Sequence, residues 1–147
     1  MSNTVLDYKK YSAKCCYALR FLNISVPGAV PVGEPVWLKC DFDLEGDDLY
    51  SVKWYKNHVE FYRYQPRDRP PGQTYRLAGT FVDLDRSNSS HVLLTSTDLN
   101  SEGLYGCEVS GEAPSFSTAK SEDEMRVYGK LALLKNLNHL IFCVSKR

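Results

Sequence analysis

GLYGCEVS, residues 103–110, contains the step Tyr105-Gly106-Cys107, and its cysteine has an evident counterpart in VWLKC at 36–40. Cys40 and Cys107 are 67 residues apart, and Trp54 follows Cys40 by 14. Around Cys40, Val36 and Leu38 alternate with Trp37, Lys39 and Asp41, the period-two pattern of a strand with one buried face. Val52 and Trp54 continue that pattern in the next apolar segment, with Ser51, Lys53 and Tyr55 pointing the other way. Strands of this kind, each half apolar, must pack in two layers. A disulfide between the layers then closes a long loop.

Cysteine, tryptophan and Tyr-x-Cys at these spacings make the frame of an all-β, variable-type immunoglobulin β-sandwich. It is a Greek key with one inter-sheet disulfide, Cys40 to Cys107, and with Trp54 and Tyr105 as core markers. Strands are expected at residues 21–26, 36–41, 49–56, 59–64, within 75–84, at 91–95, 104–110 and within 115–128. Residues 65–73 hold three prolines and a glycine and read as a loop or weak edge. No core helix is expected. Variable domains often carry Asp four residues before the corner tyrosine, paired with an Arg across the sheet end. Ser101 stands there, so that ion pair is not expected.

The chain has 147 residues and no net formal charge, which suits a single globular domain. Neutrality gives no global reason for nucleic acid or an anionic membrane as partner. A 21–128 domain leaves a poorly ordered leader at 1–20 and a tail at 129–147 with the makings of a short helix. The leader carries Asp7, Lys9, Lys10, Lys14 and Arg20, unlike the apolar core of a secretory signal. The tail is broken by Lys135, Asn136, Asn138 and His139, too polar to span a bilayer. Against this, a structural disulfide and the sequons at Asn23 and Asn88 point to an oxidising compartment and glycosylation. Cys15, Cys16 and Cys143 lie outside the Cys40–Cys107 loop and have no obvious mutual use.

Catalytic chemistry is not expected. His58, His91 and His139 fall in a turn, a strand and the tail, with nothing to bring them together. Asp41, Asp43, Glu45, Gly46 and Asp47 resemble the start of a calcium loop, but the twelfth position is Val52 rather than Glu, so no metal site is expected. No cofactor is expected either. Between Lys53 and Arg76 six basic residues face two acidic ones, a local excess that would steer a partner of complementary charge. The run Phe61-Tyr62-Arg63-Tyr64 is the sharpest candidate surface. By alternation Phe61 and Arg63 share one face and Tyr62 and Tyr64 the other, so one pair packs inward and one outward. Lys53 and Tyr55 extend the outward side, and Phe116 is placed to complete it.

DLEGDDLYSVKWYKN at 43–57, EFYRYQPRDRPPGQ at 60–73 and CEVSGEAPSFST at 107–118 resemble the first immunoglobulin domain of the Beaten path (Beat) family of arthropod neuronal proteins. The resemblance covers residues 26–128. It implies a secreted or cell-surface, non-enzymatic domain that binds Sidestep-type immunoglobulin receptors in axon guidance or synaptic matching. It also implies that the sheet bearing Trp54 meets the partner. The other reading of the residues is a structural or homophilic module, weakly dimeric through that same sheet.

Overall fold

The structure, a computed structural model, describes residues 19–129, without the side chain of Leu22. The expected leader and tail, with Cys15, Cys16 and Cys143, therefore lie outside the described residues, apart from the positions that border the domain.

Ten strands form two sheets. In chain order they are β1 (Arg20–Ser25), β2 (Ala29–Pro31), β3 (Val36–Asp43), β4 (Leu49–Lys56), β5 (Val59–Tyr64), β6 (Gly72–Thr74), β7 (Val82–Asp83), β8 (His91–Leu94), β9 (Gly103–Gly111) and β10 (Thr118–Tyr128). One sheet has the order β1-β3-β8-β7 and the other β2-β10-β9-β4-β5-β6. All pairs are antiparallel except β2 with β10. A single 3-10 turn, Leu99–Ser101, precedes β9. Among the described residues no helix is long and apolar enough to cross a membrane.

The frame read from the cysteines is present. Cys40 on β3 and Cys107 on β9 are bonded across the sheets, with Cα atoms 6.3 Å apart. Trp54 pairs directly beside Cys107 and is fully buried. Val36, Leu38, Val52, Val92, Leu94, Tyr105, Val109 and Met125 fill the space between the layers. On β3 the alternation holds, with Trp37, Lys39 and Asp41 exposed.

One edge strand escaped the sequence reading, and a second bears out the weak-edge alternative read at 65–73. Pro27-Gly28 ends β1 and lets the chain cross to the other sheet, where Arg126 N–H donates to Gly28 O at 3.1 Å and β2 begins. Residues 72–74, expected as loop or weak edge, pair with Tyr62, Arg63 and Tyr64 as β6. The strand within 75–84 is only the two residues of β7. Ahead of it the chain turns at Gly79, φ +77°, where a Cβ would lie 2.3 Å from the Asn100 backbone, so only glycine fits.

The closed end of the sandwich is held from within. Tyr105 Oη donates to Ser101 O at 2.7 Å, the tyrosine-corner bond. Lys56, buried, donates from Nζ to the carbonyls of Ala78, at 3.3 Å, and Asn100. One buried ammonium thus ties the loop before β7 to the turn before β9, at a sheet end where Ser101 offers no carboxylate. Burial lowers the pKa of Lys56, with Asp98 opposing that shift.

Reduction of Cys40–Cys107, or its replacement by alanines, is expected to cost about 2–5 kcal/mol in urea unfolding. A loss under 1 kcal/mol would show that the apolar contacts hold the layers without the crosslink.

Candidate partner-binding face

The outer face of the six-stranded sheet is built from every second residue of β5, β4, β9 and β10. Register sets Arg63 opposite Lys53, Lys53 opposite Glu108, and Glu108 opposite Lys120. The next row brings Glu60, Tyr55, Gly106 and Glu122 side by side. The centre of the face is therefore a glycine. A Cβ at Gly106 would stand 3.1 Å from Glu122 Cγ and 3.4 Å from Lys120 Cε, so those side chains lie across the vacant position.

Three predicted residues, Phe61, Tyr62 and Tyr64, do not reach this face. Phe61 and Tyr62 are both buried in the core. The cause is a β-bulge: Trp54 pairs with Tyr62 and Tyr55 with Glu60, leaving Phe61 as an extra residue on β5. Alternation fails at that step, and two consecutive aromatic rings turn inward. Phe61 packs edge-on against Tyr105 at 5.9 Å between centroids, and Tyr62 Oη donates to Asn88 O at 3.2 Å. Tyr64, opposite Val52, is half-buried against the core. Of the aromatic run, Arg63 alone serves the outer face.

The other predicted residues are placed as follows. Lys53 is half-buried, its Nζ 3.6 Å from Glu108 Oε1. Tyr55 Oη lies 3.4 Å from the same carboxylate oxygen, and Lys120 Nζ stands 5.4 Å from its ring centroid. Arg63 forms a two-pronged pair with Glu60, at 2.6 and 2.8 Å, and lies over the ring of Tyr75. The Glu60 hydrogen bond raises its pKa further. Phe116 is 73% exposed but belongs to the loop between β9 and β10 rather than to a strand. Asn23 on β1 and Asn88 before β8 are exposed and belong to the other sheet and its β7–β8 turn. Asn88 Oδ1 accepts the Ser90 and His91 N–H groups.

The basic excess read between residues 53 and 76 is dispersed in space. Lys56 points inward, Lys53 and Arg63 are matched by Glu108 and Glu60, and Arg67 reaches Glu112 at 3.0 Å. Lys120 and Glu122, 2.7 Å apart, complete a face of alternating charge. The sequence reading missed Glu108, Lys120, Glu122 and Tyr75. A signal existed for β10, where every second residue from Lys120 to Arg126 is charged. His58 lies 3.6 Å from Glu122, whereas His91 packs against Trp37 on the other sheet. Among the described residues no group of three or more His, Cys, Asp or Glu side chains is placed to hold a metal.

A family model described as the immunoglobulin domain matches residues 21–121. The chain belongs to the immunoglobulin-domain family. No curated protein matches the chain by sequence. Its immunoglobulin domain is similar to the V domain of amphioxus IgVJ-C2, with 18% identity, 68% of this chain and 98% of that one covered, and a TM-score of 0.57. Murine CRIg is similar at 13% identity, with 76% and 98% covered and a TM-score of 0.54. So is the structure of Dpr1 IG1 bound to DIP-eta IG1, at 14% identity, with 78% and 99% covered and a TM-score of 0.53. At such identities the likeness is one of fold.

Burial, then the charges of Glu108 and Glu60, push the Tyr55 phenol up to about 12, and burial pushes Tyr62 to about 12 as well. Both shifts favour the neutral phenol in the folded state. The stability they contribute is complete below the ordinary phenol value of 10.0 and is lost as pH rises through about 12. An alkaline titration followed by phenolate absorbance and circular dichroism should show the fold weakening across that window. Tyr62→Phe should weaken less over the same range, and equal weakening would assign the effect to other groups. Tyr62→Ala is expected to cost about 3–5 kcal/mol.

Proposed function

We propose that this immunoglobulin domain is a non-enzymatic, extracellular recognition module. In this reading it is Beat-like and binds a Sidestep-type immunoglobulin protein of another cell surface, in axon guidance or synaptic matching. The contact is the outer face of β5, β4, β9 and β10. One observation carries the reading: at the middle of that face Gly106 leaves the Tyr55 ring and three opposed charge pairs side by side, with no other element over them among the described residues.

Such a face suits recognition. Half-buried ion pairs at a surface add little to stability, on the order of 0–1 kcal/mol each. They do discriminate between partners, because a mismatched charge pattern is repelled. Tyr and Arg are also the residue types that most often anchor interfaces. Asn23 and Asn88 stand on the opposite sheet and its turn, so glycans there would leave this face open. The Dpr1 IG1 structure, bound to DIP-eta IG1, offers a precedent for two immunoglobulin domains as partners. One observation favours homophilic pairing as the competing reading. Lys53, Arg63 and Lys120 are balanced by Glu60, Glu108 and Glu122, so two copies of the face do not repel.

Against a panel of Sidestep-type ectodomains, Tyr55→Ala and Lys53→Glu should each weaken binding about tenfold or more. Their stability should stay within about 1 kcal/mol of the parent. Gly106→Thr should also weaken binding, since its Cβ would push aside the Glu122 and Lys120 side chains that lie across the face. Binding that survives all three changes would place the interface elsewhere. Sedimentation of the free domain separates the homophilic reading, which requires a concentration-dependent dimer.

A further inference from the structure

At the loop end of the same sheet a second register break exposes another aromatic ring. Leu49 pairs with Gly111 and Ser51 with Ser110, which leaves Tyr50 unpaired at the start of β4 and 47% exposed. Across from it stands Phe116, 73% exposed, with its backbone at φ +48°, a conformation that bulky residues rarely adopt. Its N–H donates to Glu112 O at 3.1 Å. Tyr50 and Phe116 flank an open hollow of about 410 Å³, completed by Ser110, Gly111, Glu112 and Thr118. Its lining includes the Ser110 and Thr118 hydroxyls, 3.2 Å apart, and Gly111, which has no side chain.

Two carboxylates stand at this hollow, Glu112 in its wall and Asp47 beside Gly111. Asp47 accepts a hydrogen bond from Ser115, and its Oδ2 lies 3.7 Å from where a Gly111 Cβ would stand. Asp48 is exposed, and its carbonyl accepts the Glu112 N–H at 2.8 Å. Glu112 forms part of the wall, with Arg67 beside it at 3.0 Å. Glu112 and Asp47 thus set two carboxylates against one guanidinium beside two exposed aromatic rings.

We propose that this hollow seats an aromatic or aliphatic side chain of a protein partner, flanked on that partner by Lys or Arg. The proposal rests on the reading that the domain binds a protein, and extends the interface to the loop end. The two rings supply apolar area to an anchor side chain, and the carboxylates select for positive charge beside it. The hollow is open and has room for about one or two side chains, which fits an anchor presented by a protein surface rather than an enclosed small molecule.

Two short peptides test the chemistry directly, acetyl-Trp-Arg-Lys-amide and acetyl-Trp-Glu-Glu-amide, titrated into the isotope-labelled domain by NMR. The basic peptide should shift the amides of Ser110, Gly111, Glu112, Phe116 and Thr118. The acidic one should do so several-fold less. Tyr50→Ala and Phe116→Ala should abolish the shifts, and Asp47→Asn should reduce the preference for the basic peptide. Scattered shifts, or equal shifts from both peptides, would overturn the proposal. Sidestep-type ectodomains separate it from the broader reading. If one binds through Tyr55 but is indifferent to Tyr50→Ala and Phe116→Ala, the hollow is not part of the interface. If none binds while the basic peptide still shifts the hollow, the Sidestep reading falls and the hollow stands.

Discussion

Cys40 on β3 and Cys107 on β9 join the two sheets across the core, and the side chains around that bond carry the rest of the domain. Trp54 stands beside Cys107 on β4, and Tyr62 beside Trp54 on β5. Two residues back on β9, Tyr105 meets Phe61 edge-on and hydrogen-bonds the turn at Ser101. This chain of buried rings runs from the disulfide to the closed end of the sandwich. Sliding β4 by one residue against β9 would turn Trp54 to solvent, so the register between them is tightly held. That register decides which residues look outward, and the binding face is in this sense the reverse side of the core.

The bulge at Phe61 shows how little freedom that leaves. A regular β5 would bury Tyr62 and Tyr64 and turn Phe61 outward beside Arg63. One extra residue lets Phe61 also pack inward, and it brings Glu60 opposite Tyr55. Glu60 then holds Arg63 and adds negative charge near the Tyr55 phenol. A face that alternation would have made more aromatic becomes one of matched charges around a single tyrosine. The bulge at Tyr50 acts in the opposite direction and exposes a ring next to the β9–β10 loop. Where β4 and its partners depart from regular pairing, the character of the surface changes.

Charge followed the same logic. Six basic residues between 53 and 76 make a run in the chain but not a patch in space. Strand alternation sends Lys56 inward, Glu108 on β9 supplies an acid to Lys53 from across the strands, and Glu60 on the same strand holds Arg63. Partners that lie more than 50 residues apart along the chain, as Lys53 and Glu108 do, are invisible to any count over a local window.

The class of fold, the disulfide, the buried tryptophan and tyrosine, and the outward placement of Lys53 and Tyr55 are legible in the order of residues along the chain. These follow from spacing and from period-two alternation, which are local properties of each strand. Folding in three dimensions makes Phe61 and Tyr62 both core, pairs β2 as an edge, sets Gly106 against Glu122, and places Tyr50 and Phe116 about one hollow. The physical reason is pairing. A bulge, an edge strand or a cross-strand neighbour arises from the match between two distant segments, and neither segment carries that match alone.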